Sequence, residues 1–226
     1  MVEEAKHCTF PCQIIALDEA GRGPLAGPVV VAGVSVSVNS FDELLKIRNG
    51  LSQLGVQDSK KVSFKKRNEI LKNLNLVSSA KNTIYQFEYE KMKVQVLWVA
   101  VSPKVIDKLN ILQATLFGMK TITDHLVSTA KINPFHVLID GNQLFKTDNK
   151  DLSLHGIVKG DQKSPFIGLA SIIAKVARDE LMTKLHKIYP QYGFDLHAGY
   201  PTKLHQEQLK FYGPSPIHRK SFRLQY

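Results

Sequence analysis

Gln13-Ile14-Ile15-Ala16-Leu17-Asp18-Glu19-Ala20-Gly21-Arg22-Gly23-Pro24-Leu25-Ala26-Gly27-Pro28 is the stretch from which the fold is read. A short apolar run is broken abruptly by two adjacent acids, the mark of a buried strand ending in charge. The glycines and prolines that follow make a turn-rich loop. Val29 to Val38 is rich in valine and alternates near its end, which predicts a second strand.

The same pattern recurs downstream. Phe135 to Ile139 is apolar and ends in Asp140-Gly141, and Leu154 to Val158 is followed by Lys159-Gly160-Asp161. Thr83–Phe87 and Val94–Val101 predict two further strands, antiparallel to each other. Ser63 can cap a helix through Ile70 and Leu74. Ser102-Pro103 and Ser164-Pro165 each place a capping serine before a proline at the first helical position. The first of these helices carries apolar periodicity to Met119 with a break near Asn110. The second buries Ile167, Ala170, Ile173, Ala174, Ala177, Leu181 and Leu185 on one side. From about residue 190 the chain is loop-rich, with a short helix after Thr202. Strands and helices in this order predict one α/β layered domain over 1–226 with a mixed sheet.

Asp18, Asp140 and Asp161 each lie just beyond an apolar strand, and Glu19 adjoins the first. If those strands adjoin, the acids share one crevice. Clustered carboxylates repel one another and take up protons. A divalent cation removes that penalty, and Mg²⁺ or Mn²⁺ suits oxygen donors. Each acid alone also reads as a turn or cap residue, and Asp-Gly is a common turn. The triplet Gly21-Arg22-Gly23 lets backbone approach a ligand closely and offers a planar donor fork for phosphate. Alone it is also an ordinary tight turn, and no Gly-Lys-Ser/Thr makes it a P-loop. Lys60, Lys61, Lys163, Arg178, Lys203 and the cluster His218-Arg219-Lys220 are further candidate phosphate contacts. Tyr200, in a loop beside Gly199, can stack on a base or sugar.

The bulk properties agree. A formal net charge of +10 attracts polyanions. Charged residues are 22% and hydrophobic residues 43%, the balance of a globular chain rather than a disordered one. No apolar run is long enough for a membrane span, and no signal-peptide core follows the charged N-terminus. Cys8 and Cys12 have the spacing of neither a CxxC redox pair nor a four-ligand zinc site, and read as two free thiols in a reducing cytoplasm.

Taken together, these segments closely resemble the bacterial ribonuclease HII family of type 2 RNases H. The resemblance is carried by Leu17 to Pro28, Asp58-Ser59-Lys60-Lys61, Asn110 to Thr115 and Ile139-Asp140-Gly141. Lys159 to Ser164, Ala170 to Asp179, Gly199-Tyr200-Pro201-Thr202 and Pro216 to Phe222 continue it, in the family's order over nearly the whole chain. It implies an RNase H-like fold with a mixed five-stranded sheet flanked by helices. It implies two-metal hydrolysis of the RNA strand of RNA–DNA hybrids, and cutting 5′ to single ribonucleotides embedded in duplex DNA. The products would carry a 3′-hydroxyl and a 5′-phosphate, a chemistry used in ribonucleotide excision repair. By motif position, Asp18, Glu19, Asp140 and Asp161 would be the catalytic metal ligands, for Mg²⁺ or Mn²⁺, while Asp179 would be structural. Gly21, Arg22 and Gly23 would contact the backbone around the ribonucleotide, Lys60 and Lys163 the phosphates, and Tyr200 the sugar at the junction. A monomer is expected, and the C-terminus offers no clear clamp-binding peptide.

Two stretches depart from the family. Residues 77–96 suggest a local insertion, and the chain ends soon after Ser221-Phe222. The sister ribonuclease HIII type carries Gly-Lys-Gly in the loop and an added N-terminal domain, which Arg22 and the short segment before Cys12 disfavour. A catalytically silent hybrid-binding protein is disfavoured by the full set of acids. An enzyme acting on small phosphates is disfavoured by the charge and Tyr200.

Overall fold

A computed structural model describes residues 2–56, 62–74, 76, 85–89 and 92–223, with backbone alone for 85–89 and 92–93. Its strands are β1 (Cys12–Ala20), β2 (Val29–Val38), β3 (Tyr85–Tyr89), β4 (Met92–Val101), β5 (Phe135–Asp140) and β6 (Leu152–Ile157). The α-helices are α1 (Phe41–Gln53), α2 (Phe64–Asn73), α3 (Pro103–Leu109), α4 (Ile111–Thr129), α5 (Gly160–Lys163), α6 (Pro165–Ile188), α7 (Phe194–His197) and α8 (Lys203–Tyr212).

The strands form one mixed sheet in the order β3-β4-β2-β1-β5-β6. β1 pairs antiparallel with β2 and parallel with β5, and β5 pairs parallel with β6. Five strands, β4 to β6 in this order, carry the expected mixed sheet flanked by helices. The sixth, β3, is the strand expected at Thr83–Phe87, added to the five that the resemblance implies. It pairs antiparallel with the outer edge of β4, Tyr85 opposite Val96, and so covers backbone groups that an edge strand would leave unpaired. Of the stretch 77–96, expected as a local insertion, residues 77–84, 90 and 91 lie outside the described residues.

Alternation sorts β1 between two cores. Ile14 and Ala16 join the layer under α6, α1 and α2. Ile15 and Leu17 join the layer with Met119, Ile122 and Leu126 of α4. On β5, Leu138 faces the α6 side and Val137 and Ile139 the α4 side. Asp18 and Asp140 follow in phase with the α6 side.

The capping signals operate as expected. Ser63, Ser102 and Ser164 each accept from the backbone N–H three residues on. Asn110, at φ 69°, ends α3 and caps α4 through Gln113 N–H. Helix α1 has no counterpart in the elements expected from sequence. Ser40 caps it, and Glu43 reaches back to Asn39 N–H at 2.6 Å. Ser-x-x-Glu thus caps the helix from both sides, Glu43 reaching one residue past the N-cap.

Candidate active site

The parallel register of β1 and β5 builds the site. Leu17 lies opposite Ile139, so the next residues, Asp18 and Asp140, emerge side by side at the same end of the sheet. Asp18 is buried, at 3% exposure. Its carboxylate accepts from Glu19 N–H at 2.7 Å and from the Ser171 hydroxyl on α6. Burial, then the charges of Glu19 and Asp140, push its carboxyl well above the usual carboxylate range.

Asp140 pairs with Ile157 at the end of β6, and its Oδ1 accepts from Gly160 N–H at 2.7 Å. Lys159 turns the chain there in the left-handed region, at φ 56°. Asp161 follows at once. It is not at a strand end as expected but in the first turn of α5, fully buried. A Cβ at Gly160 would stand 2.7 Å from Ile167 Cδ1 and 3.2 Å from Asp140 Oδ1, so glycine gives the turn room to close against the acid.

Gly21 opens the adjoining loop at φ 93°, where a Cβ would overlap the Arg178 side chain. Glu19, Gly21, Arg22, Gly23 and Tyr200 line a common cleft of about 400 Å³, together with Arg67, Ser171 and Lys175. Tyr200 is 41% exposed, its ring beside Gly23 and above Arg178. Arg22 pairs with Glu19 at 3.3 Å. Lys163 stands apart from this cleft, exposed at the end of α5 with its charge felt by Glu3. Lys60 and Lys61 lie outside the described residues.

Three of the basic candidates are corrected. Arg178, Arg219 and His218 are buried, at 0%, 0% and 1% exposure, and serve the loop itself. Arg219 donates to the carbonyls of Gly21, Arg22 and Gly27 at 2.6, 2.8 and 3.0 Å. Arg178 donates to those of Ala26, Pro28 and Ala198. A loop that turns its carbonyls inward needs buried donors, and a guanidinium supplies five. Lys203 is exposed, 3.9 Å from Glu207. Asp179 pairs with Lys175 at 2.8 Å and Arg67 at 3.5 Å, the structural part expected of it.

Arg67, Ser171 and Lys175 are cleft residues that sequence reasoning missed. Ser171 and Lys175 stand four apart on α6, so helical spacing could have placed them on one face. Arg67 carries no such signal.

A buried carboxyl crowded by two others, in a set of oxygen donors only, fits hard divalent cations.

The family model described as ribonuclease HII matches residues 15–225. A ribonuclease HII of Francisella tularensis subsp. novicida is 43% identical over 210 residues, covering 93% of this chain and 96% of that protein. Among solved structures, the ribonuclease HII in a PCNA complex from Archaeoglobus fulgidus superposes with a TM-score of 0.65 at 23% identity, covering 95% of this chain and 96% of that one. Bst-RNase HIII in complex with Mn²⁺ gives a TM-score of 0.65 at 17% identity, over 95% of this chain and 68% of that one.

Proposed function

This chain belongs to the ribonuclease HII family, and from that premise we propose that it hydrolyses the RNA strand of RNA–DNA hybrids and nicks 5′ to single ribonucleotides in duplex DNA. The observation that carries the proposal is the β1–β5 register, which sets Asp18 beside Asp140 next to the Gly21–Gly23 cleft.

Asp18, Glu19, Asp140 and Asp161 would hold Mg²⁺ or Mn²⁺. Such ions, when bound, lower the pKa of an attacking water and neutralise charge on the phosphate and leaving oxygen. The protein's part is positioning. Glu19 N–H and the Ser171 hydroxyl orient the Asp18 carboxylate, and Gly160 N–H orients that of Asp140. Backbone and side chain of Gly21-Arg22-Gly23 face the strand to be cut, and the exposed Tyr200 ring stacks on the sugar at the RNA–DNA junction. Discrimination of RNA rests on the 2′-hydroxyl, the local difference from DNA.

The test is cleavage of a labelled DNA duplex holding one ribonucleotide, with Mg²⁺, Mn²⁺ or EDTA. Nicking 5′ to the ribonucleotide is expected with metal and not with EDTA. Asp18→Asn and Asp140→Asn should each lose at least about 100-fold in turnover, several kcal/mol of charge stabilisation, with unchanged circular dichroism. Near-normal turnover of both variants would overturn the assignment. Cutting of long hybrids alone would point to a ribonuclease HIII-like specificity.

A further inference from the structure

The opposite end of β1 carries a second group of ligand-type side chains. Cys12 begins β1, and Asp18 lies six residues along the same strand, roughly 20 Å away at about 3.3 Å per residue. The parallel register that aligns Asp18 with Asp140 also sets Ile14 opposite His136. Cys12 and His136 share the α6 face of the sheet by alternation, and Cys8 folds back onto them. One ligand atom from each of Cys8, Cys12 and His136 lies within 4.8 Å of the others.

Two further observations point to a ligand. His136 is 5% exposed, and its Nδ1 is buried without a hydrogen-bond partner. Its Nε2 accepts from Thr9 N–H at 3.3 Å and lies 3.5 Å from Thr9 Oγ1. Beside it, stacked at 5.8 Å between ring centroids, His155 has a buried Nε2 that also lacks a partner. Orphaned buried nitrogens are costly and rare. Cys8 and Cys12 form no disulfide, and the Cys8 thiol donates to the Cys12 sulfur.

We propose that Cys8, Cys12 and His136 form a Zn²⁺ site that fastens the N-terminal segment to the sheet. Two thiolates and an imidazole are the donor set of a soft or borderline cation, unlike the oxygen set at the far end. In a tetrahedral zinc site, sulfurs stand roughly 3.8 Å apart and sulfur and nitrogen roughly 3.5 Å, so a closure of about 1 Å suffices. With Nδ1 on the metal the ring proton moves to Nε2, which gives up the bond from Thr9 N–H and donates instead to Thr9 Oγ1, holding the ring in place. Water completes the coordination. Binding releases the two thiol protons to solvent and changes no oxidation state. Cys8 is half-buried, which gives the ion a way in.

The experiment is titration of the reduced, metal-free full-length protein with Co²⁺, followed by displacement with Zn²⁺. Thiolate-to-cobalt charge-transfer absorption and tetrahedral d–d bands are expected at one equivalent, bleached by Zn²⁺. Cys8→Ser should abolish the charge-transfer band, while Asp140→Asn, which alters only the carboxylate site, should retain it. Zn²⁺ should raise the melting temperature of the wild type and not of Cys8→Ser. Absence of thiolate charge transfer in reduced wild type, or an identical spectrum from Cys8→Ser, would overturn the proposal.

Discussion

Single residues in this protein carry strain that the fold tolerates. Asp18 is the clearest case, an acid buried under α6 and crowded by Glu19 and Asp140. Its raised carboxyl binds protons in the fold that the unfolded chain has already released. The fold therefore loses stability as pH rises from the ordinary carboxylate range toward the raised value. Asp18→Asn should accordingly stabilise the metal-free protein by about 1 kcal/mol in urea denaturation while abolishing cleavage. Unchanged or lower stability would contradict the repulsion. Gly21 has the opposite character. Alanine there meets both φ 93° and the Arg178 side chain, so Gly21→Ala should cost about 2–4 kcal/mol in the same assay. Tyr200→Ala should lose more activity on a single embedded ribonucleotide than on a long hybrid, and equal losses would speak against a junction role. Asp18 and Tyr200 were legible in the sequence because each stands in a short local pattern. The part played by Arg178 was not, since nothing local distinguishes a basic residue on a helix from one that supports a loop.

At the scale of elements, the glycine-rich loop after β1 is held by what lies behind it. Arg219 takes three of its carbonyls, so Arg219→Met should cost about 3 kcal/mol or more and lower activity with it. A chain of histidines holds the Tyr200 turn. Ser215 N–H donates to His218 Nδ1 at 2.9 Å, which leaves the His218 proton on Nε2 to face His205 Nε2 at 3.0 Å. His205 then donates from Nδ1 to the Tyr200 carbonyl at 2.9 Å. Each ring works neutral. Burial, then the nearby His205, pulls His218 down to about 4, and burial pulls His205 down too. Between about pH 6.5 and pH 4 the unfolded chain binds the proton that folded His218 refuses. Stability should fall as pH drops through that window, by on the order of 2 kcal/mol, and this group adds no pH dependence above it. Urea midpoints at stepped pH, with His218→Gln as the flatter reference, would show it. A wild-type curve parallel to the variant would count against the chain. The residues stood in the sequence as a basic cluster, His218-Arg219-Lys220, and only Lys220 is exposed.

For the whole molecule, the excess of positive charge and the cleft at one end of the sheet suit a polyanionic duplex. Binding of hybrid by the Asp140→Asn variant should weaken by at least about tenfold between roughly 50 and 200 mM salt, as expected for as few as two phosphate contacts. A flat response would remove charge from the account of binding. Among the described residues no helix is long and apolar enough to cross a membrane.

By itself, the sequence determined where strands stop and acids begin, where the helices are capped, and which loop must be glycine-rich. These are properties of neighbours in the chain, set by alternation, capping and turn chemistry. Tertiary structure alone decided which distant residues meet. Leu17 and Ile139 pair across more than a hundred residues, which sets Asp18 beside Asp140 just past one end and, through Ile14 opposite His136, brings His136 near Cys12 at the other. A parallel pairing needs a long crossover, so its register is written in no local spacing. That register set Asp18 beside Asp140, and it turned two cysteines of unremarkable spacing into two parts of a three-ligand group.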